Sequence, residues 1–286
     1  MKKMMKAPIK WAGGKSRIID KIKHYLPPTI KNYFEPFCGG GSVFLNLKNI
    51  KSRKSRKATI SDINPQIINL FTEIKKRPKS LIKRLGRLEK KNTKEFYAKY
   101  RIKFNKIKNQ KGLLSASLFL YLNKTCFSGI YRENSKGEFN VPYGKYKNIN
   151  LTGNIRKISK FLRKNSFDFY CCDWEDILSE AKKGDFVYLD PPYHKENKTS
   201  FTKYSSSDFG EEEQEKLAKK LKKLDKKGVN WMMSNSNTPF IHDLYKKFHI
   251  IKFHVGRHLN NHTFSEGERK EKTKENNEVL IINYIF

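Results

Sequence analysis

The sequence has few cysteines and no long apolar run. None of its four cysteines forms a CxxC pair, and no His/Cys cluster has metal-ligand spacing. We therefore expect reduced, mostly buried thiols and no metal site. No segment approaches the roughly 18 apolar residues of a membrane-spanning helix. The cationic N-terminus also lacks the apolar stretch of a signal peptide, so we expect a soluble, cytoplasmic protein with no membrane partner.

Acidic residues are also scarce: 28 Asp and Glu oppose 61 Lys and Arg, which gives a net charge of +33. Such an excess favours a polyanionic partner, although a lysine-rich coding bias would give the same total. The distribution is more informative, because residues 75–111 contain sixteen Lys or Arg and two Glu. A solvated helical face is the alternative. Concentration in one segment favours a nucleic-acid surface.

Short apolar runs that end in polar residues alternate with helix-like segments. They are NYFEPF, ATISD, DFVYLDPPY and VNWMMSNS, the last preceded by EEEQEKLAKKLKKL. This alternation predicts an α/β fold with a doubly wound, mostly parallel sheet, in which ligands lie at the carboxyl ends of the strands. The closing runs FHIIKFHV and EVLIINYIF predict a hairpin at one edge.

Between residues 65 and 150 the pattern becomes helical. Phe96, Tyr100 and Phe104 recur every four residues and predict an apolar face on a basic helix, and LLSASLFLYLN predicts a buried helix. The predicted organisation is a helical domain, 65–150, inserted into a catalytic α/β domain formed by 1–64 and 151–286.

Asp190, Pro191, Pro192 and Tyr193 follow a strongly apolar run, DFVYL. The lone pair of an exocyclic amine such as N6 of adenine is delocalised into the ring, so this nitrogen is a poor nucleophile. A carboxylate and a backbone carbonyl that accept its two hydrogens favour a pyramidal nitrogen. The prolines fix φ and hold the Pro191 carbonyl in place, and Tyr193 offers a face on which an extruded base can stack. A rigid turn after a strand is the structural alternative.

A glycine-rich loop follows the first run and has the form FxGxG, with Phe37, Gly39 and Gly41 after Glu35. Glycines after a strand let a ligand approach the backbone closely. A nicotinamide-type GxGxxG requires Gly or Ala where Phe44 stands. A Walker loop ending at the GK of KWAGGK requires glycine where the chain has isoleucine.

Asp62 ends the second run, 21 residues beyond Gly41. An acidic residue at this spacing commonly accepts the ribose hydroxyls of an adenosine cofactor. Alone, Asp62 is more typical of a helix N-cap, because NPQIINLF follows it. The N-terminal KWAGGK has the small residues and cations of a loop folded over a ligand.

In the order KWAGGK, FEPFCGGGSVF, helical insert and DPPY, these segments resemble the Dam-type family of DNA adenine methyltransferases over nearly the whole chain. The resemblance implies methyl transfer from S-adenosyl-L-methionine to N6 of adenine, by base flipping and direct in-line attack, without a metal. The product would be S-adenosyl-L-homocysteine. The implied cofactor contacts are Trp11, Lys15, Glu35, Phe37, Gly39, Gly41, Asp62, Asp190 and, more weakly, Asp173, for which a helix cap is the alternative.

The resemblance also implies contacts to double-stranded DNA from a hairpin within residues 122–144. Arg132 matches a guanine-contacting position, which suits bidentate Arg–guanine pairing. Ile130 and Pro142 match apolar contacts, Lys10 matches a contact to a second guanine, and Phe127 matches an aromatic inserted beside the flipped base. Phe127 and Ile130 stand where Tyr and Leu are common in the family. The implied site is GATC, and a plain hairpin is the alternative.

Two polar segments, HKENKTSFTKYSSSDFG and 260–277 with Arg257 before it, are expected to meet DNA phosphates. Three other functions stay open at this stage. An N4-cytosine methyltransferase uses the same fold, an RNA or protein methyltransferase fits the fold alone, and a non-enzymatic basic DNA-binding protein explains only the charge. The oligomeric state and the biological role, including a partnership with a restriction enzyme, are also open.

Overall fold

Seven strands form one sheet in the computed structural model, which describes residues 4–47, 57–146, 148–195, 209–254 and 277–285. The strands are β1 Tyr33–Glu35, β2 Ala58–Ser61, β3 Phe167–Tyr170, β4 Phe186–Leu189, β5 Asn230–Ser236, β6 His249–Phe253 and β7 Glu278–Ile282. The helices are α1 Ile19–His24, α2 Pro65–Lys76, α3 Pro78–Glu89, α4 Lys94–Ile107, α5 Leu113–Thr125, α6 Ile155–Lys164, α7 Trp174–Glu180, α8 Glu211–Lys226 and α9 Pro239–Tyr245.

The strand order is β3-β2-β1-β4-β5-β7-β6. The first five strands in this order are parallel, and β7 runs antiparallel to both β5 and β6. The predicted α/β fold with a mostly parallel sheet is confirmed. The two closing strands pair as expected, but only β6 is the edge strand because β7 lies between it and β5. Strand β3 was not among the predicted runs.

Both faces of the sheet are covered, which is why β4 is apolar at every position. Val187 and Leu189 pack with α7, α8 and α9 on one face. Phe186 and Tyr188 point to the other face, whose core includes α6 and the helices α2 to α5 of residues 65–150, hereafter the insert. Each large apolar side chain buried this way stabilises the fold by about 1.5–3 kcal/mol.

The insert packs around α5, in which every side chain from Ser115 to Asn123 is buried. On α4, Tyr97 and Phe104 are buried while Phe96 and Tyr100 are only partly covered, so the predicted apolar face exists but is centred nearer Tyr97. Helix α2 contacts α5, α6 and β3. The domain boundaries at 64/65 and 150/151 therefore stay predictions.

Residues 126–144, hereafter the 126–144 loop, were expected to form a hairpin. They contain two isolated antiparallel bridges, Cys126 to Tyr143 and Glu133 to Phe139. A single 3-10 turn, Phe127–Gly129, follows α5, with Ser128 at φ 56°. The two arms run antiparallel as predicted, but the turn replaces a regular strand after Cys126.

The cysteines differ from expectation in part. Cys38 and Cys126 are buried, but Cys171 is exposed and Cys172 is half-buried, and all four are free thiols. The reason is position, because Cys171 and Cys172 follow β3 at the open end of the sheet. Within the described ranges, no helix is long and apolar enough to cross a membrane, and no group of His, Cys, Asp and Glu is arranged to hold a metal ion. Most of the two segments expected to contact phosphates, 194–210 and 260–277 with Arg257 before it, lies outside the described residues, which omit 196–208 and 255–276.

Candidate active site

The Asp-Pro-Pro-Tyr turn leaves the sheet at the carboxyl end of β4. Lys15 donates a hydrogen bond to Asp190 Oδ1 at 2.8 Å and to the Gly13 carbonyl at 2.6 Å. The Lys15 side chain is buried, and its Nζ lies 4.7 Å from the centre of the Tyr193 ring. The Lys15 backbone N–H also donates to Ser42 Oγ at 2.9 Å. The structure thus brings KWAGGK, the glycine loop and the DPPY turn together.

Opposing effects determine the pKa of the Asp190 carboxyl. Burial raises the pKa of its carboxyl to about 6, although the adjacent Lys15 ammonium acts to lower it. Glu278, at the start of β7, raises the pKa of Asp190 further and accepts a hydrogen bond from the Tyr193 hydroxyl at 3.0 Å. A pKa of about 6, well above the ordinary aspartate value, is typical of a carboxyl at a functional site.

Asp62 joins the end of β2 to the glycine loop. Its Oδ2 accepts from the Gly39 N–H at 2.8 Å, and its Oδ1 accepts from the Asn64 N–H at 2.9 Å. Burial raises the pKa of Asp62 to about 6, while the two backbone donors act to lower it. The N-cap of α2 is Asn64, which accepts from the Gln66 N–H. The alternative of Asp62 as the helix cap is therefore wrong.

The two glycines of the FxGxG pattern are required by contacts within the protein. Gly39 has φ +46°, and a Cβ there would lie 2.7 Å from Trp11 Cδ1. Gly41 has φ +78°, and a Cβ there would lie 2.6 Å from Phe71 Cζ. Any side chain at these positions would displace an aromatic ring. Phe37 is half-buried, with its ring edge against Phe209.

Glu35 lies beneath the glycine loop and is buried, with the Tyr33 hydroxyl donating to its carboxyl. Burial raises the pKa of Glu35 well above its ordinary value, and the neighbouring carboxyls of Asp190 and Asp62 raise it further. Burial therefore disfavours the ionised form of Glu35. We call Glu35, Asp62 and Asp190, at the ends of β1, β2 and β4, together with Lys15, the strand-end site.

Strands β1 and β4 are neighbours, and the chain moves outward from them in opposite directions. The strand-end site thus lies where the strand order reverses, which is where doubly wound sheets bind ligands. Asp173 caps α7 by accepting from the Glu175 N–H at 2.9 Å. The cap is the alternative that the sequence left open for Asp173, and its cofactor role stays a prediction.

The five predicted DNA-contacting residues are all at the surface: Lys10, Phe127, Ile130, Arg132 and Pro142. Phe127 is 60% exposed and Ile130 is 39% exposed, which is unusual for large apolar side chains. The Phe127 N–H donates to the Pro142 carbonyl at 2.8 Å, so the two arms of the 126–144 loop bring these residues together. Arg132 Nε donates to Asn140 Oδ1 at 2.9 Å across the same loop.

Sequence reasoning missed Asn123, which ties Lys10 to this loop. The buried Asn123 amide accepts from the Lys10 N–H and donates to the Lys10 carbonyl, both at 2.8 Å. It also donates to the Gly129 carbonyl at 3.4 Å. A polar residue at the end of an otherwise apolar helix was the available signal, because a buried amide requires partners.

Sequence reasoning also missed the side chains that hold the DPPY turn. The fully buried Gln214, in the first turns of α8, donates to the Pro192 carbonyl at 2.8 Å and accepts from Asn235 at 3.1 Å. Asn235, on β5, accepts from the His194 N–H at 3.2 Å. Since prolines have no N–H, the turn is fixed through a carbonyl and through the residue after it. The sequence gives no signal for Gln214, which lies among exposed glutamates.

Fold and site together define a doubly wound α/β enzyme whose ligand site lies at the point where the strand order reverses. A sequence profile of the D12 class of N6 adenine-specific DNA methyltransferases matches residues 11–259. The chain belongs to this family, and it is an adenine-specific DNA methyltransferase. The resemblance inferred from the motifs is confirmed.

Several curated relatives cover nearly the whole chain. The Type II methyltransferase M.MjaIII of Methanocaldococcus jannaschii is 40% identical over 96% of this chain and 98% of its own. The Type II methyltransferase M1.LlaDCHI of Lactococcus lactis subsp. cremoris is 36% identical over 96% and 94%. The DNA adenine methylase of Escherichia coli K12 is 35% identical over 87% and 88%.

Proposed function

We propose that the chain transfers a methyl group from S-adenosylmethionine to N6 of a flipped adenine in duplex DNA, at GATC. The observation that carries this proposal is the strand-end site itself. Carboxyl groups from three neighbouring strands meet beside the rigid DPPY turn, and Lys15 pairs with Asp190 at 2.8 Å. Desolvated carboxyls with raised pKa values favour a cationic ligand, because an added positive charge offsets the cost of their ionisation.

The side chains beside this site fit the rest of such a cofactor. Asp62 is positioned to accept ribose hydroxyls, in keeping with its place after β2 and the glycine loop. Ile63 and Tyr170 are 60% and 46% exposed next to it, and the Asp62 N–H donates to the Tyr170 carbonyl at 3.3 Å. They offer an apolar surface for an adenine ring. When bound, S-adenosylmethionine supplies an electrophilic methyl group on a positively charged sulfur.

Asp190 and the Pro191 carbonyl would accept the two hydrogens of the target amine and expose its lone pair. Lys15 assists by favouring the ionised form of Asp190, which burial opposes. Tyr193 offers its ring to the flipped base, and Glu278 fixes the ring through the hydroxyl. Gln214 holds the Pro192 carbonyl and so the orientation of the turn. Catalysis then rests on positioning.

Specificity would come from the exposed tip of the 126–144 loop and from Lys10. Arg132 carries a guanidinium suited to the acceptor edge of guanine. Phe127 is exposed enough to occupy the space that a flipped adenine leaves. The relatives named Type II methyltransferases support a pairing with a restriction enzyme, which would require methylation of one short sequence.

The test is incubation of the purified protein with methyl-labelled S-adenosylmethionine and unmethylated duplexes that carry GATC or a one-base variant. We expect label in the GATC duplex, and N6-methyladenine after enzymatic digestion to nucleosides. N4-methylcytosine would establish the alternative base. Equal labelling of all duplexes would refute GATC, and no labelling of any duplex would refute the proposed function.

A further inference from the structure

Cationic side chains line a cavity of about 240 Å³ between α3, α4 and α5. Arg84 and Arg87 extend from α3, Lys91 follows that helix, and Lys103 extends from α4. All four are exposed, and Tyr100 lies among them. The cavity is well separated in the sequence from the residues expected to contact the target bases.

No acidic side chain among the described residues forms an ion pair with these four cations. The ion pairs of the insert involve other residues, Arg77 with Glu73 and Lys108 with Glu133. Glu89, the acidic residue of α3, lines a different cavity. Lys91 has an aromatic contact, with its Nζ 5.2 Å from the centre of the Phe96 ring. Four like charges around one concave surface repel each other, so the cavity is suited to an external anion.

Helix α4 places this cavity close to the 126–144 loop. On one face, Tyr97 donates to the Val141 carbonyl at 2.7 Å and Asn105 accepts from the Phe139 N–H at 2.9 Å. On another face, Tyr100 and Lys103 line the cavity. The cavity and the 126–144 loop are therefore separated by the diameter of α4, roughly 10 Å. Since each DNA strand has a phosphate about every 3.4 Å along the axis, this distance corresponds to a few base pairs.

We infer that this cavity binds backbone phosphates of duplex DNA outside the recognition sequence. The inference rests on the proposed function, because it requires DNA held by the 126–144 loop. The two arginines provide donors in a planar fork that matches phosphate oxygens. Contacts of this kind add affinity and register without sequence information. The cavity would therefore lengthen the DNA footprint beyond the bases that Arg132 contacts.

The experiment compares Arg84→Gln/Arg87→Gln with the unaltered protein on two duplexes that carry the same central GATC. One has about 8 base pairs, so its ends lie about 7 Å beyond GATC and short of the cavity, and the other has about 30 and extends past the cavity. Fluorescence anisotropy gives Kd at several salt concentrations. We expect the variant to bind the long duplex about tenfold more weakly, with a log–log salt slope smaller by about 1–2. Binding of the short duplex should change less than about twofold.

The matched control is Lys219→Gln/Lys223→Gln, which removes two exposed cations from α8. Helix α8 packs on the face of the sheet opposite the insert, so this control reports the effect of net charge alone. Equal effects of the two variants, or equal loss on short and long duplexes, would overturn the inference. If the unaltered protein binds neither duplex, the proposed function fails instead.

Discussion

The strand-end site and the insert use charge in opposite ways. In the strand-end site, the buried Glu35 lies with the half-buried Asp62 and Asp190, and desolvation raises the pKa values of both aspartates to about 6. In the insert, many cations are exposed, as Arg84, Arg87 and Lys103 are. The protein therefore contains a locally acidic site although its net charge is +33. Cofactor binding should depend on pH and little on salt, whereas DNA binding should depend steeply on salt.

The largest expected effect comes from Asp190→Asn, which keeps the shape of the side chain but removes its charge. Turnover should fall by about 10²–10⁴, since the neutral amide cannot stabilise the positive charge that develops on the amine nitrogen during transfer. DNA affinity should stay within about twofold, because the strand-end site and the insert are separate. Single-turnover methylation and anisotropy measure the two effects.

Asp243→Asn is the control for that substitution, because Asp243 is exposed on α9 and pairs with Lys246. It should leave turnover unchanged. Residual turnover of Asp190→Asn within tenfold of the unaltered protein would remove Asp190 from the mechanism.

Arg132→Ala tests whether the 126–144 loop determines the sequence specificity of DNA recognition. We expect a loss of about 1–3 kcal/mol in discrimination at one guanine position, seen as the ratio of kcat/KM for GATC and for the duplex with that base changed. Lys136→Ala removes the same charge from an exposed position of the same loop. If both variants lower kcat/KM equally for both duplexes, Arg132 contributes only charge.

Gln214→Leu tests whether the DPPY turn is positioned by its buried partners. The Pro192 carbonyl and the Asn235 amide lose their hydrogen bonds, each at a cost of about 1–3 kcal/mol. We expect kcat to fall about tenfold, equivalent to about 1.4 kcal/mol, with little change in KM for either substrate. Glu215→Leu, an exposed neighbour, is the control. A lower melting temperature with unchanged kcat would limit Gln214 to a structural role.

The smallest effect is expected from Glu35→Gln. Because burial raises the pKa of Glu35 well above its ordinary value, we expect the neutral amide of glutamine to replace its carboxyl closely. Turnover and melting temperature should change little, whereas Glu35→Ala should destabilise the fold by leaving the Tyr33 hydroxyl without its partner. A large loss of cofactor affinity in Glu35→Gln would show that Glu35 acts as an anion.

The sequence was sufficient for the sheet because buried parallel strands are apolar runs that end in polar residues. It was insufficient for β3, whose FDFY segment is only partly buried and alternates weakly. It did not show that β7 enters between β5 and β6, since strand order depends on which edge is open when the last segments pair. The predicted hairpin became a looser pair of arms because the 3-10 turn at Phe127–Gly129 replaces regular pairing.

The site was predictable where a motif names both the residue and its position, as for Asp190, Lys15 and Asp62. Gln214, Asn235 and Asn123 were not, because their roles depend on burial and on partners far apart in sequence. Gln214 and Pro192, for example, are 22 residues apart. The glycines of FxGxG were singled out for ligand approach, yet Gly39 and Gly41 are also required by Trp11 and Phe71.

Cofactor affinity as a function of pH tests the central claim most directly. The pKa values of Asp62 and Asp190 are raised to about 6. The folded state therefore favours the protonated carboxyls, and the stability that they contribute is lost as pH rises through about 6. Binding of a cation requires the ionised forms and has the opposite dependence. Because both carboxyls must lose a proton, calorimetric titration with S-adenosylmethionine should give a constant Kd above about pH 7 and a loss approaching a hundredfold per pH unit well below pH 6. A Kd that stays constant from pH 5 to pH 8 would contradict the account.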